Sequence, residues 1–363
     1  MQFFANNPLA AQFAHIQPLA QPPAYPGYLR QYGWLFDHYV ILGQSAVALF
    51  FLVSGFVIPM SLERLSPGRF AVARIMRIYP VWLVSLAIAA VAYWAYARWF
   101  VPQDFPLSAR DWALNASLLY EWFLTPYVNP VVWTLAVEIK FYLLCGVIAW
   151  LVGLHRALPI VGLCTALAGY VVLTEGRFQA LADDHWHLFI AASTIAVNAK
   201  FLIFLFIGVC FYNLFRGSWD VPKFLAMTSV LGGLYAAATL TGPDPEPFKR
   251  VLLLTYAIAF VLFLAAYVAR ARLPYSRAWN YLCDVSYPLY AVHYLVGMML
   301  LSGFATLHDS PYLALLATLV CVFAIVAVVH RYVEEPAMRW GKQFRLPALP
   351  MRRTGVSRPS GEA

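Results

Sequence analysis

Charge is what this chain has least of. Of its 363 residues only 12% are Asp, Glu, Lys or Arg, against 62% hydrophobic, and the mean hydropathy is +0.67. A soluble domain of this length could not hide so much apolar surface, so that class is excluded. Cysteine is sparse too. Cys145, Cys164, Cys210, Cys283 and Cys321 are widely spaced within apolar runs and form no CxxC or Cys/His pattern, which argues against a disulfide framework or a zinc site. His185 and His187 flank Trp186 with no third ligand nearby, so no metal centre is expected. Residues 1–25 lack a basic region followed by a continuous apolar core and do not read as a signal peptide. The net charge of +8 does not point to nucleic acid; its distribution points to topology.

What the chain has is apolar runs of about twenty residues, the length a helix needs to cross a bilayer. Nine are read, at 39–60, 78–99, 131–152, 158–174, 199–215, 224–241, 251–269, 281–302 and 313–330. The fold class that follows is all-α, a polytopic integral membrane helix bundle. Residues 112–126, interrupted by Asn115 and Glu121, read as an interfacial or re-entrant segment. The organisation expected is an extracytoplasmic segment over 1–38, a membrane domain over 39–340 and a disordered cytoplasmic tail over 341–363.

Basic residues mark cytoplasmic loops. Arg64, Arg69, Arg74 and Arg77 fill the first loop, Arg156 the third, Arg216 and Lys223 the fifth, Arg270, Arg272 and Arg277 the seventh, and the tail is basic. The alternate loops are richer in acids. The C-terminus is therefore expected in the cytoplasm and, nine being odd, the N-terminal segment outside. Without an export signal this pattern points to a further helix upstream, with Met1 an internal methionine.

Ionisable groups in membrane spans are costly and mark functional sites. Arg74 and Arg77 are three apart and share a helix face. They suit a cytoplasmic phosphorylated ligand such as a coenzyme A diphosphate, or lipid phosphates under the positive-inside rule. Glu138 lies roughly 10 Å into its helix, with Thr134 and Tyr142 as its i−4 and i+4 neighbours and Lys140 pointing elsewhere. It either pairs with a basic residue to lock helices together or serves catalysis or substrate binding. Tyr287, Tyr290, His293 and Tyr294 form a polar-aromatic stripe, expected to face the bundle interior or a cavity. Arg331, Glu334 and Glu335 close the last span as an anchor and local ion pair.

Five stretches, FFLVSGFVI, RIMRIYP, VVWTLAVEIKFYLL, VSYPLYAVHYLV and HRYVEEP, follow one another in this chain. In that order they resemble the membrane-bound acyltransferase family 3 proteins, over about residues 43–339. These are bacterial integral-membrane enzymes that O-acylate cell-surface saccharides, lipo-oligosaccharide signals or antibiotics. The resemblance implies an acyltransferase acting on groups other than aminoacyl groups, in the bacterial cytoplasmic (inner) membrane. It would move an acyl group, most commonly acetyl, from cytoplasmic acyl-CoA to a hydroxyl of a saccharide or glycolipid acceptor. Acyl-CoA (acetyl-CoA) is then a co-substrate, with no permanently bound cofactor and with membrane lipid as surroundings. Arg74 and Arg77 would bind the donor, and Glu138 and His293 would belong to the catalytic interior. Trp133, Tyr142, Tyr287 and Tyr290 are the candidate substrate-binding residues.

The chain departs from that family at one point. The family has about ten core helices, and its first carries a basic residue about ten positions ahead of a histidine thought to be the base. Here His15 has no basic residue upstream and His38 follows Arg30 by eight, outside any span. The chain as it stands lacks that base and is expected to be inactive unless His293 replaces it. The alternative is a transporter or flippase for a polar lipid or sugar, with Glu138, Lys200 and His293 along a path. The sequence has none of the internal repeats that transporters often carry.

Overall fold

The computed structural model describes residues 41–99, 107–175, 185–272, 276–307 and 310–343. The segment 1–38, with His15 and His38, and the tail beyond 343 lie outside the described residues. The described elements are all helical: α1 (Leu42–Arg64), α2 (Pro67–Trp99), α3 (Ala109–Ala116), α4 (Val132–Leu151), α5 (Ala157–Thr174), α6 (Trp186–Phe215), α7 (Val221–Thr241), α8 (Glu246–Ala269), α9 (Arg277–Asp284), α10 (Ser286–Val292), α11 (Leu295–Leu307), α12 (Pro311–Val329) and α13 (Glu335–Gln343). Eight of these are long and apolar enough to cross a membrane, or nine if the bent pair α10–α11 counts as one span. In hydrocarbon every backbone group must be satisfied within the protein, which a helix does within itself.

The middle of the bundle is α6. Its most apolar stretch is 89% buried inside the protein, against 22% for α5, because it is hydrophobic on every side. It packs against α1, α7, α5 and α4. The α1 crossing is close: a Cβ on Gly208 would stand 2.6 Å from the Leu52 carbonyl oxygen and 2.7 Å from the Gly55 Cα. Small residues at such a crossing let two backbones meet, the main source of attraction where lipid competes for every apolar contact.

Three elements differ from the hydropathy reading. First, α2 starts at Pro67, not 78, so Pro80 lies inside it instead of in its first turn. Helix-forming Ala and Arg residues carry it through the basic loop, and its first turns lean on α4, with Phe70 edge-on to Tyr142. Second, α6 begins at Trp186, so half of the outer loop read at 175–198 is helix. Third, the span read at 281–302 is broken: α10 and α11 meet at 59° around His293 and Tyr294. Hydropathy reports what lipid covers and is blind to where a helix continues or breaks.

Residues 107–131 fold back beside α2, at the level of its apolar stretch. Trp82 Nε1 donates to the Asn115 carbonyl at 3.1 Å, and the Tyr79 hydroxyl to the Ser117 carbonyl at 3.4 Å. Ser108 and Asp111 form a capping box at the start of α3, which satisfies orphan donors of the first turn. A 3₁₀ turn, Tyr120–Phe123, follows. It is bracketed by Leu118 and Leu124 in the left-handed region, φ 61° and 46°, which is strained for a residue with a Cβ. Buried Asn115 holds the fold-back: its amide donates to the Asp111 and Pro126 carbonyls and accepts from the Val128 N–H.

Candidate functional site

The sequence-predicted residues come together along one face of α1. At the arginine-rich end, Arg74 Nη2 donates to Ser61 Oγ at 2.7 Å. Its guanidinium carbon stands 5.3 Å from the Phe70 ring centre and 5.5 Å from that of Tyr142. The side chain is thus clamped by aromatic faces and a hydroxyl. Its Nε, however, is buried with no partner, an arrangement that costs about 1–3 kcal/mol if left empty. Arg77 differs. It is exposed and makes no hydrogen bond or ion pair among the described residues, while its charge acts on Glu138, Tyr287 and Glu334.

Further along α1, Glu138 is 6% exposed. Ser54 Oγ donates to its Oε1 at 2.9 Å, and the Tyr142 hydroxyl donates to the same oxygen. Among the described residues no basic group closes an ion pair with it; Arg74 and Arg77 act through space. Lys140, two residues on, turns to the other face and binds Glu121 Oε2 at 2.5 Å, beside Asn198 at 3.3 Å from that oxygen. The sequence marks both charges but not that 121 and 140 meet, since the fold-back that joins them has no hydropathy signal.

One turn beyond Ser54, the Tyr290 ring stacks on Phe50 at 6.3 Å, and its hydroxyl binds Thr134 Oγ1 and the Val131 carbonyl. Trp133 is partly buried between Phe51 and Phe201, with ring centres at 6.1 and 4.8 Å. Tyr287 donates to the Ile78 carbonyl at 2.8 Å and so fixes α10 to α2 near Arg77. The stripe divides at the break: Tyr287 and Tyr290 turn inward, whereas His293 is exposed. His293 Nδ1 lies 3.0 Å from the carbonyls of both Leu289 and Tyr290. Carbonyls only accept, so in the neutral ring Nδ1 carries the hydrogen and Nε2 keeps its lone pair. The imidazole therefore presents a base nitrogen away from its own helix.

The local ion pair expected at the end of the last span forms between Arg331 and Glu335, but the burial of Glu334 and the partner of Lys200 escaped the sequence reading. Glu334 is buried on a π turn, His330–Glu334, with His330 Nδ1 at 2.7 Å, while Glu335 takes Arg331 and Arg339. A π turn shifts the helix register by one residue, which sequence periodicity does not reveal. Lys200 is 1% exposed and pairs with Asp244 in the α7–α8 loop. In the fold-back, burial, reinforced by Glu121, pushes the Tyr120 and Tyr127 phenols well up, so both stay neutral.

Arg74, Glu138 and Tyr290 meet α1 at Ser61, Ser54 and Phe50, a run of eleven residues or about 16 Å of helix, with Arg77 three residues after Arg74 and His293 three after Tyr290. Residues 13–331 match the family described as an acyltransferase domain, acyltransferase family 3. Acyltransferase MdmB of Streptomyces mycarofaciens is 28% identical over 340 residues, covering 85% of this chain and 84% of that protein. Nodulation protein 10 of Rhizobium leguminosarum bv. viciae is 26% identical over 343 residues, 84% of each. No solved structure matches. With a family match spanning most of its length and a bundle of membrane-crossing helices around the motifs that carry the likeness, this chain belongs to acyltransferase family 3 and is an acyltransferase of the multi-pass membrane type.

Proposed function

We propose that the protein is an O-acyltransferase of the bacterial cytoplasmic membrane that moves an acyl group, acetyl in the simplest case, from cytoplasmic acyl-CoA to a hydroxyl of a cell-surface or exported saccharide. The observation that carries this reading is the pair of unlike arginines. One free guanidinium and one buried, unpartnered guanidinium nitrogen stand at the basic end of a polar column. Phosphates fill such donors well. A phosphorylated carrier with a long thin arm can anchor there and send its thioester along the column towards Glu138 and His293. The basic loops support a cytoplasmic position for this end and for the C-terminus.

In the transfer, the acceptor oxygen forms a bond to the thioester carbonyl carbon, and the carbon–sulfur bond breaks. The hydroxyl proton passes to a base, and the leaving thiolate takes a proton to become the coenzyme thiol. His293 Nε2 is the base nitrogen offered beside this site among the described residues. The Tyr290 hydroxyl, and Glu138 with its hydroxyl donors, orient the reacting groups. Acceptor recognition falls to Trp133 and the fold-back beside α2.

The test uses membrane vesicles from cells producing the full chain, in both orientations, with labelled acetyl-CoA outside. Inside-out vesicles, which display the cytoplasmic face, are expected to incorporate base-labile label into saccharide, and right-side-out vesicles are not. Equal labelling in both would overturn the sidedness. No ester-linked label, with uptake of saccharide instead, would favour a transporter.

A further inference from the structure

We propose that Asn129 is a positioning residue for His293: its side-chain amide holds open the helix break from which the imidazole is presented. The inference rests on the reading of His293 as the base.

The break interrupts the helical ladder. His293 N still donates to the Leu289 carbonyl at 2.9 Å, and the ladder resumes with Gly297 N to His293 O at 3.1 Å and Met298 N to Tyr294 O at 2.9 Å. Between them, His293 and Tyr294 stand outside the helices. In a membrane interior a freed carbonyl must find another donor or the helix will close to recover its own. Two side chains supply donors. The His293 ring serves Tyr290, as described above. Asn129 Nδ2 serves Ala291 O at 2.8 Å, from a side chain 2% exposed.

Asn129 is itself held. Its Oδ1 accepts from the Val131 N–H at 3.3 Å, which sets the amide so that nitrogen faces Ala291. Two residues later, the Val131 carbonyl accepts from Tyr290. The start of α4 therefore grips α10 twice, by an amide on one carbonyl and by a carbonyl on one phenol. Both contacts lie within three residues of His293, on the elements that also carry Glu138 and Tyr290. Without the amide, the bend loses one of the two side-chain donors at its last turn, and α10 is freer to straighten into α11. That would remove the geometry in which His293 caps Leu289 and Tyr290.

The experiment compares Asn129→Ala with the parent and with His293→Ala. The full chain is purified in detergent, ring-labelled with ¹⁵N-histidine, and the His293 signals are assigned by their loss in His293→Gln. Three readouts are taken: the His293 ring tautomer, coenzyme A affinity, and acetyl transfer from acetyl-CoA into native host membranes. Asn129→Ala is expected to lose the single Nδ1–H tautomer and to slow transfer at least about tenfold, with coenzyme A affinity unchanged. A parent-like tautomer and rate would overturn the inference. So would a loss of coenzyme A affinity alongside the rate, which would mark a general disturbance of the fold. If Asn129→Ala does not fold, Asn129→Leu fills the same volume without a donor and gives the same comparison. Loss of coenzyme A binding in both variants would assign Asn129 to folding alone and overturn the proposal. Retained transfer in His293→Ala would instead bring down the reading of His293 as base, while the tautomer readout still decides what Asn129 does.

Discussion

The ionisable groups of this bundle fall into two sets that handle charge in opposite ways. Away from the arginine-rich end, each is committed to an opposite charge: Lys140 to Glu121, Lys200 to Asp244, Lys249 to Glu246 and the Leu240 carbonyl. At the candidate site none is, although Glu63 near the end of α1 pairs with Arg216. Among the described residues Arg77 has no partner, Arg74 keeps an empty buried nitrogen, Glu138 has hydroxyls but no ion pair, and the second His293 nitrogen is open. A buried ion pair is at best neutral for stability against apolar groups of the same size, but removing one partner is severe. The difference teaches that a charge in a span is not a site because it is there. It becomes one where the protein leaves it unanswered.

The largest effect that would sharpen this contrast is at His293. His293→Ala is expected to cut acyl transfer by at least about a hundredfold, the usual contribution of a positioned base, with coenzyme A affinity retained. Retained activity would place His293 with the committed groups. Next comes Lys200→Met, which leaves Asp244 facing a buried gap and should lower stability by about 3–5 kcal/mol. Replacing both members of the pair should recover most of that loss. Thermal unfolding in detergent reads both, and an active-site role for Lys200 would instead show as lost transfer in a variant of normal stability. Arg77→Ala ranks third. It should weaken coenzyme A binding about tenfold or more, the value of one or two charge-assisted hydrogen bonds. Lys140→Met should leave that affinity unchanged. If both variants bind alike, the division between committed and free cations does not mark the donor site.

Much of this was legible in the sequence, and what was not has a physical cause. The spans, Glu138 deep in its helix and the shared face of Arg74 and Arg77 follow from composition and helical period, both properties of a contiguous stretch. Gly55 is a small residue within the apolar run read at 39–60, and it packs closely on α6. That Gly208 meets it there was not legible, because a crossing is a relation between distant segments. The same holds for Glu121 with Lys140 and for Asn129 with Ala291. The break at His293 is the instructive case. Its stripe of Tyr287, Tyr290, His293 and Tyr294 assumed one straight helix, and the 59° bend keeps the first two inside while turning His293 outward. The hydropathy of the run from 281 to 302 does not mark that bend, and the amide that meets the Ala291 carbonyl comes from Asn129, just before α4.

The smallest effect tests the other edge of the comparison, where commitment should cease to matter. Glu246 pairs with Lys249 at 2.9 Å, as Asp244 pairs with Lys200 two residues earlier, but Glu246 is in the open. Lys249 holds the Glu246 carboxyl below its usual range. A carboxyl lowered on folding contributes stability above its unfolded value, about 4.3 for glutamate, and loses it as pH falls through the folded value. Water and salt screen an exposed pair. Glu246→Gln should therefore unfold at the same temperature as the parent at neutral pH, within a degree or so, and any residual difference should vanish in acid. Lys249→Met should cost more than Glu246→Gln, since the buried ammonium also satisfies the Leu240 carbonyl. If Glu246→Gln instead matched Lys200→Met, depth in the bundle would not be what separates a costly pair from an idle one. The commitment of the outer charges would then have to come from the turn into α8, with Asp244 in the α7–α8 loop and Glu246 at the start of the helix.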